Sequence, residues 1–375
     1  IATVFQTAQQ AYEWQVAEFN APDYDKLVIY ELLMRDFTEG KTYNDLIDTL
    51  DYLVNLGVNA IEFMPVNEFE GNNSWGYNPN YYFALDKYYG TKDSFKEFVD
   101  IAHSKGIAVI IDLVLNHAYN SCPLAMMYWD SENGRPAANN PWFNVQSPNP
   151  VFSWGNDFNH ESQDTKDFID RVNSYWIEEY KVDGYRFDFT KGFTNTPGDG
   201  GGYDNARIDI LKRMSDKIRE ADDDAYIIFE HLAANSEEKV LAEYGIMLWG
   251  NMNHSYNEAT MGWIPNSNFS GISYRSRGFS DPRLIGYMES HDEERLMYKN
   301  IEYGNSSGSY DIQDLNTALK RNEMAAAFFF TVPGPKMIWQ FGELGYDYSI
   351  NRCEDGSISE NCRLSPKPIR WDYYD

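Results

Sequence analysis

The chain has 375 residues, 43% of them hydrophobic and 24% charged, which is ordinary usage for a folded protein long enough to bury a large core. Its 31 basic and 58 acidic residues give a formal charge of −27, a field that repels phosphate backbones and anionic lipid surfaces, so no nucleic-acid partner is expected. No apolar stretch approaches the roughly 20 residues that span a bilayer, so no membrane insertion is expected either.

Taken in chain order, short apolar runs rich in β-formers alternate with amphipathic helical segments, the rhythm of βα units around a parallel sheet. Residues 1–25 read as a linker from an upstream module. They lack an initiator Met and any basic-then-apolar leader, so a signal peptide is expected to have been removed or never included. The first strand is expected over 27–32. A helix follows, with a capping box from Thr42 to Asp45, an apolar face of Leu46, Leu50, Leu53 and Val54, and Gly57 at its exit. The second strand spans 60–66, and its helix carries Phe95, Phe98, Val99 and Ala102 on one side. The third, 107–114, is apolar on both faces, as a strand between barrel interior and helix layer must be. Residues 118–164 are irregular and rich in Asn, Pro and Ser, too long for a plain loop, and read as a small subdomain inserted after the third strand. Helical spacing returns at Phe168, Val172 and Trp176, and strands are expected at 182–188, 225–230, 245–249, 284–290 and 336–340.

Eight such strands fit a closed (β/α)8 TIM barrel better than an open sheet. The barrel then divides into 26–117 and 165–375, with the eighth helix and any C-terminal domain apparently absent. Of the three cysteines, Cys353 and Cys362 flank a short polar loop that a bridge is expected to close, worth about 3 kcal/mol and persistent only in an oxidising compartment. Cys122 is expected as a buried free thiol.

Catalytic groups of such barrels lie at the C-terminal strand ends, where the βα loops converge. Four strand ends here carry charge: Asp112 with Asn116 and His117, Arg186 with Asp188, Glu230 with His231, and His291 with Asp292. One buried carboxylate at a strand end is commonly a structural ion pair. Four at one mouth cost several kcal/mol in desolvation and imply use. Retaining glycoside hydrolysis needs a nucleophilic carboxylate and an acid/base carboxylate about 5 to 5.5 Å apart, and Asp188 and Glu230 suit these parts. Arg186 faces the same side of its strand as Asp188 and is expected to hold it ionised. The apolar run before Glu230 is expected to raise its pKa. Asp292, His117 and His291 are placed to bond sugar hydroxyls, and aromatics at 16% of the chain suit sugar faces, although a large aromatic core explains them equally.

These segments resemble, in order and spacing, the motifs of glycoside hydrolase family 13, the α-amylase family. The likeness runs from Leu27 to about Gly345 and includes 57–65 at the second strand, the triplet Asp157, Phe158, Asn159, and 341–345 after the eighth strand. It implies Asp188 as nucleophile, Glu230 as acid/base and Asp292 as transition-state stabiliser. It implies Arg186, His117 and His291 as ligands of the sugar at the cleavage point, Tyr77 stacked beneath it, and Lys191 towards the leaving group; His231 counts as a further substrate contact. The inserted segment 118–164 resembles the family's domain B. Two departures stand out: Lys191 is followed by Gly192 where many members have His, and the implied structural calcium would draw on Asn116 and a neutral Asn159. The resemblance implies an α-glucan substrate, chemistry that needs no cofactor, further β-domains in a longer parent, and a location that is extracellular, periplasmic or at the cell surface. Family transglycosylases (branching or trehalose-related) and enzymes cleaving pullulan or cyclodextrin share the motifs. A non-catalytic carbohydrate-binding member would be expected to have lost a catalytic carboxylate, and none is lost.

Overall fold

Runs rich in β-branched and aromatic residues form eight short strands: β1 Val28–Leu32, β2 Ala60–Phe63, β3 Ala108–Leu113, β4 Gly184–Phe187, β5 Tyr226–Phe229, β6 Met247–Asn251, β7 Leu284–Tyr287 and β8 Lys336–Trp339. The computed structural model, which describes residues 10–374, closes them into a barrel in the order β1-β8-β7-β6-β5-β4-β3-β2, every pairing parallel. This is the expected (β/α)8 barrel. Between β4 and β5 the close packing requires a glycine inside the sheet: a Cβ on Gly184 would stand 2.3 Å from the Tyr226 carbonyl oxygen.

The interior is layered. Its lower part is apolar, with Ile29, Ala60, Ala108, Ile110, Ile228, Met247, Ile285 and Met337 in one buried cluster. Two residues further along the same strands the inward positions become Glu31, Glu62, Asp112 and Arg186, all at most 2% exposed. Because side chains alternate along a strand, this step converts an oily plug into a charged tier within one repeat. Outside, the strands pack on helices such as Lys92–Ser104, which buries Phe95, Phe98, Val99 and Ala102, and Gln163–Tyr180, which buries Phe168, Val172 and Trp176.

The first expected helix is broken in two. Tyr43–Ile47 carries the Thr42/Asp45 capping box, and Leu50–Leu56 ends at Gly57 with φ 93°. The break after Ile47 rotates the second piece, so Val54 is 39% exposed instead of joining Leu46, Leu50 and Leu53 in the core. Residues 118–164 hold a one-turn helix, Pro123–Met126, and short pairings, His117–Ala118 with Asn156–Asp157 and Trp129–Asp130 with Arg135–Pro136; inside the segment Phe143 stacks on Phe158, whose ring in turn meets Tyr82 and Phe168 of the barrel body.

Residues 1–9 of the expected linker lie outside the described residues. Residues 12–24 are docked: the Gln15 and Val16 amides donate to the Asp100 carboxylate at 2.8 Å, Phe19 stacks on His103, and the Tyr226 hydroxyl donates to the Pro22 carbonyl. After β8 the described chain continues in 3-10 turns, Gly342–Leu344, Glu360–Cys362 and Trp371–Tyr374. Cys353 and Cys362 form a disulfide, and Cys122 is a buried free thiol. No described helix is long and apolar enough to cross a membrane.

Candidate active site

Asp188 and Glu230 each fall one residue beyond a strand, because β4 stops at Phe187 and β5 at Phe229. The next turn is strained: Phe189 adopts φ 46°, a left-handed conformation unusual for a bulky residue and typical of functional turns. That twist aims the Phe189 amide at Glu230, donating to Oε2 at 2.9 Å, while the Thr190 amide donates to the Glu230 carbonyl.

The buried Arg186 organises the cluster. Its Nη1 donates to Asp112 Oδ2 at 2.8 Å and to Asp188 Oδ1 at 3.1 Å. Its Nη2 lies 3.0 Å from Glu230 Oε2, an ion pair without hydrogen-bond alignment. The Trp249 ring lies beneath the guanidinium at 4.2 Å. Burial pushes the Glu230 carboxyl up to about 7 against the pull of Arg186, with Asp188 and Asp292 adding to the rise. It pushes Asp188 up to about 6, again against Arg186. Arg186 limits this rise without cancelling it, because burial and the neighbouring Asp112 and Asp292 carboxylates oppose it, and Asp188 stays mainly ionised at neutral pH.

Above the cluster opens a cavity of about 470 Å³ whose wall includes Tyr77, His117, Asp188, Glu230, His291 and Asp292. Six residues expected from sequence therefore meet at one mouth, with Arg186 directly beneath. The Tyr77 hydroxyl donates to Asp112 at 2.7 Å and its ring stacks on His291 at 4.9 Å. His291 Nδ1 bonds Glu31 at 2.5 Å and its Nε2 lies 3.4 Å from Asp292. Burial alone would lower this imidazole, yet Asp292 and Glu31 raise it to about 10, so it carries a proton. His117 is the reverse case: burial lowers it to about 4. Its nitrogens are taken by protein partners, Nε2 facing the Tyr77 carbonyl at 2.9 Å and Nδ1 the Asn116 amide at 3.2 Å.

Two expected substrate contacts lie off the cavity wall. His231 is 1% exposed, with Nδ1 at 2.9 Å from the Thr190 hydroxyl and Nε2 at 3.0 Å from Glu237, so it braces the loop after β5 and does not face the mouth. Lys191 lies over the Phe152 and Phe189 rings at 4.8 and 5.2 Å. The glycine after it has a steric reason, since a Cβ on Gly192 would stand 2.1 Å from Asn116 Oδ1.

The implied calcium ligands do not fit that ion, which takes six to eight oxygens, several from carboxylates. Asn116 Oδ1 is buried without a partner. Asn159 Oδ1, however, already accepts from the Asn195 amide at 2.9 Å and the Glu161 amide at 3.2 Å. Among the described residues no three His, Cys, Asp or Glu side chains are grouped to hold a metal.

Sequence reasoning missed Glu31, Trp154 and Arg363. Glu31 left a signal, a carboxylate two residues after inward Ile29 in an apolar strand. Trp154 and Arg363 reach the cavity from irregular segments and left none.

The family description "Alpha amylase, catalytic domain" matches residues 34–156. A malto-oligosyltrehalose trehalohydrolase from Saccharolobus solfataricus is 33% identical over 56% of this chain and 34% of its own length. Alpha-amylase 3 from Dictyoglomus thermophilum is 26% identical over 88% of this chain and 66% of its own. This chain thus spans about a third of the first of these relatives. Among solved structures, the type I pullulanase of Bacillus subtilis superposes with a TM-score of 0.69 at 22% identity, over 99% of this chain and 56% of that one.

Proposed function

Because this chain belongs to the α-amylase family, we propose that it hydrolyses α-glucosidic bonds of starch, glycogen or maltooligosaccharides with retention, through Asp188 and Glu230. The observation that carries this reading is the single guanidinium of Arg186 touching both carboxylates at the floor of one cavity. In the first step the Glu230 carboxylic acid gives its proton to the glycosidic oxygen as an Asp188 oxygen bonds to the anomeric carbon. The bond to the leaving sugar breaks, and a glucosyl ester remains on Asp188. In the second, the Glu230 carboxylate takes a proton from water, the hydroxide attacks the same carbon, and Asp188 departs as carboxylate. Asp292 bonds hydroxyls of the reacting sugar, strengthening as positive charge develops on its ring. Tyr77 offers the flat face beneath it, and every proton and bond is accounted for without a cofactor.

Residues 118–164 serve in this reading as the family's domain B, roofing one side of the cleft with Trp154. The Cys353–Cys362 bridge supports a place outside the cytoplasm, where disulfides persist. The likeness to a 1,4-alpha-glucan branching enzyme from Paramagnetospirillum magneticum, 29% identical over 54% of this chain and 29% of its own length, supports a second reading, transfer to a sugar acceptor, since the covalent intermediate is shared. Maltoheptaose, amylose, pullulan and cyclodextrin as separate substrates decide between them: short α-anomeric products are expected, and lengthened or branched products would overturn hydrolysis.

The pH dependence follows from the same groups. Below about 6 Asp188 takes up a proton and ceases to be a nucleophile; above about 7 Glu230 loses the proton it must donate. A narrow bell in kcat/KM centred between those values is the expected profile. A flat profile from pH 5 to 8 would contradict the assignment.

A further inference from the structure

Asp292 stands apart from the arginine that serves its neighbours. Arg186 hydrogen-bonds Asp112 and Asp188 and pairs with Glu230, while the Asp292 side chain is 38% exposed on the cavity wall. A third carboxylate facing two others without a cation of its own would be driven to take up a proton. Beside the protonated His291, 3.4 Å from Oδ2, a second cation comes from outside the barrel. Arg363 Nη2 donates to Asp292 Oδ1 at 2.5 Å and to the Asp292 backbone carbonyl at 2.9 Å, and its guanidinium lies 5.6 Å from the Trp75 ring centre.

The segment bearing Arg363 is tied down on three counts. The disulfide to Cys353 ends at the preceding residue, Cys362. Lys367 Nζ donates to the carbonyls of Cys362, Arg363 and Ser365 at 2.8, 3.1 and 2.7 Å. Arg35, itself paired with Asp36 through two bonds of 2.8 and 2.7 Å, donates to the Leu364 carbonyl at 2.9 Å. One nitrogen of an anchored arginine thus ties the Asp292 side chain to its own backbone carbonyl and supplies a charge-assisted hydrogen bond to the carboxylate. It also divides the two oxygens: Oδ1 belongs to Arg363 and Oδ2 faces His291 at 3.4 Å, while Asp292 as a whole lines the cavity.

We propose that Arg363 is a positioning residue for the hydrolysis, holding Asp292 ionised with one oxygen turned to the reacting sugar. This rests on the reading of Asp292 as the stabilising carboxylate. The groups facing Asp292 are His291 and Glu293 from the end of β7, Arg186 and Asp188 from β4, Glu230 from β5, and Arg363. Burial works against its ionisation, and His291, Arg363 and Arg186 together more than offset it, so its carboxyl stays below the ordinary value. Removing Arg363 withdraws one of these three cations and the hydrogen bond to Oδ1, and the expected direction is upward.

The test compares the full chain with Arg363→Ala and Arg363→Lys on maltoheptaose across pH 4 to 9, with Tm measured alongside. Arg363→Ala is expected to lower kcat by about 100-fold, the cost of a misplaced reacting group, with KM changed far less and the acid limb of kcat moved to higher pH. Arg363→Lys is expected to recover most of kcat and return the limb, since an ammonium restores the charge. The proposal is overturned if Arg363→Ala leaves kcat and the acid limb in place, or if kcat falls with Tm while the limb stays fixed and Lys restores nothing. An unchanged Arg363→Ala beside an active parent sinks only this inference. A parent that cleaves no α-glucan sinks the hydrolase reading and this one with it.

Discussion

Asp188→Asn is expected to lower kcat on maltoheptaose by about four orders of magnitude or more, the scale of losing a covalent nucleophile. Asparagine keeps the shape and still presents an oxygen to Arg186, but its neutral amide does not form a stable ester with the anomeric carbon. The fold should survive, because Arg186 retains Asp112 and Glu230 as partners. Relief of repulsion among buried carboxylates makes an unchanged or higher Tm the expected result, as for many active-site charges. Substrate binding should persist, since Tyr77, His291 and Asp292 remain on the wall. Calorimetric titration with maltoheptaose and a thermal scan check both points. Turnover within tenfold of the parent would remove Asp188 from the role given to it.

Glu230→Gln should be nearly as damaging on glucans, at about 10³-fold, yet its pattern differs in a way that identifies an acid. A substrate such as α-maltosyl fluoride needs no proton on its leaving group, so the first step should be largely restored. The second step still lacks a base, and the glycosyl ester should accumulate. Mass spectrometry of the quenched protein is then expected to show a maltosyl increment on the peptide containing Asp188. The alkaline limb, which reports the Glu230 proton, should vanish from the first step. Equal loss on fluoride and glucan, with no adduct, would mean that Glu230 does something other than protonate.

The barrel was readable because the strands are near-continuous apolar runs and each helix shows one buried face. Strand ends were read too long, as at 60–66 and 284–290, because apolar composition continues into turns after the ladder stops. Phe189, Leu232 and Phe341, all with positive φ, mark three such turns, and hydropathy does not register them. At the site, Arg186, Asp188 and Glu230 were legible because alternation fixes which residues face inward. His231 misled for the opposite reason: adjacency to Glu230 says nothing about direction, and its ring turns to Glu237 six residues on. Arg363 met Asp292 across 71 positions, a proximity that only the folded chain creates.

The change from oil to charge inside the barrel has one more consequence. Below the Arg186 cluster the bore is filled largely by apolar side chains, among them Ile29, Ile110, Ile228, Ile285 and Met337. The described cavity is the open side of the cluster, and a seated sugar would cover it. The protonation state of Asp188 and Glu230 set before the glucan arrives is then the one with which the first step begins.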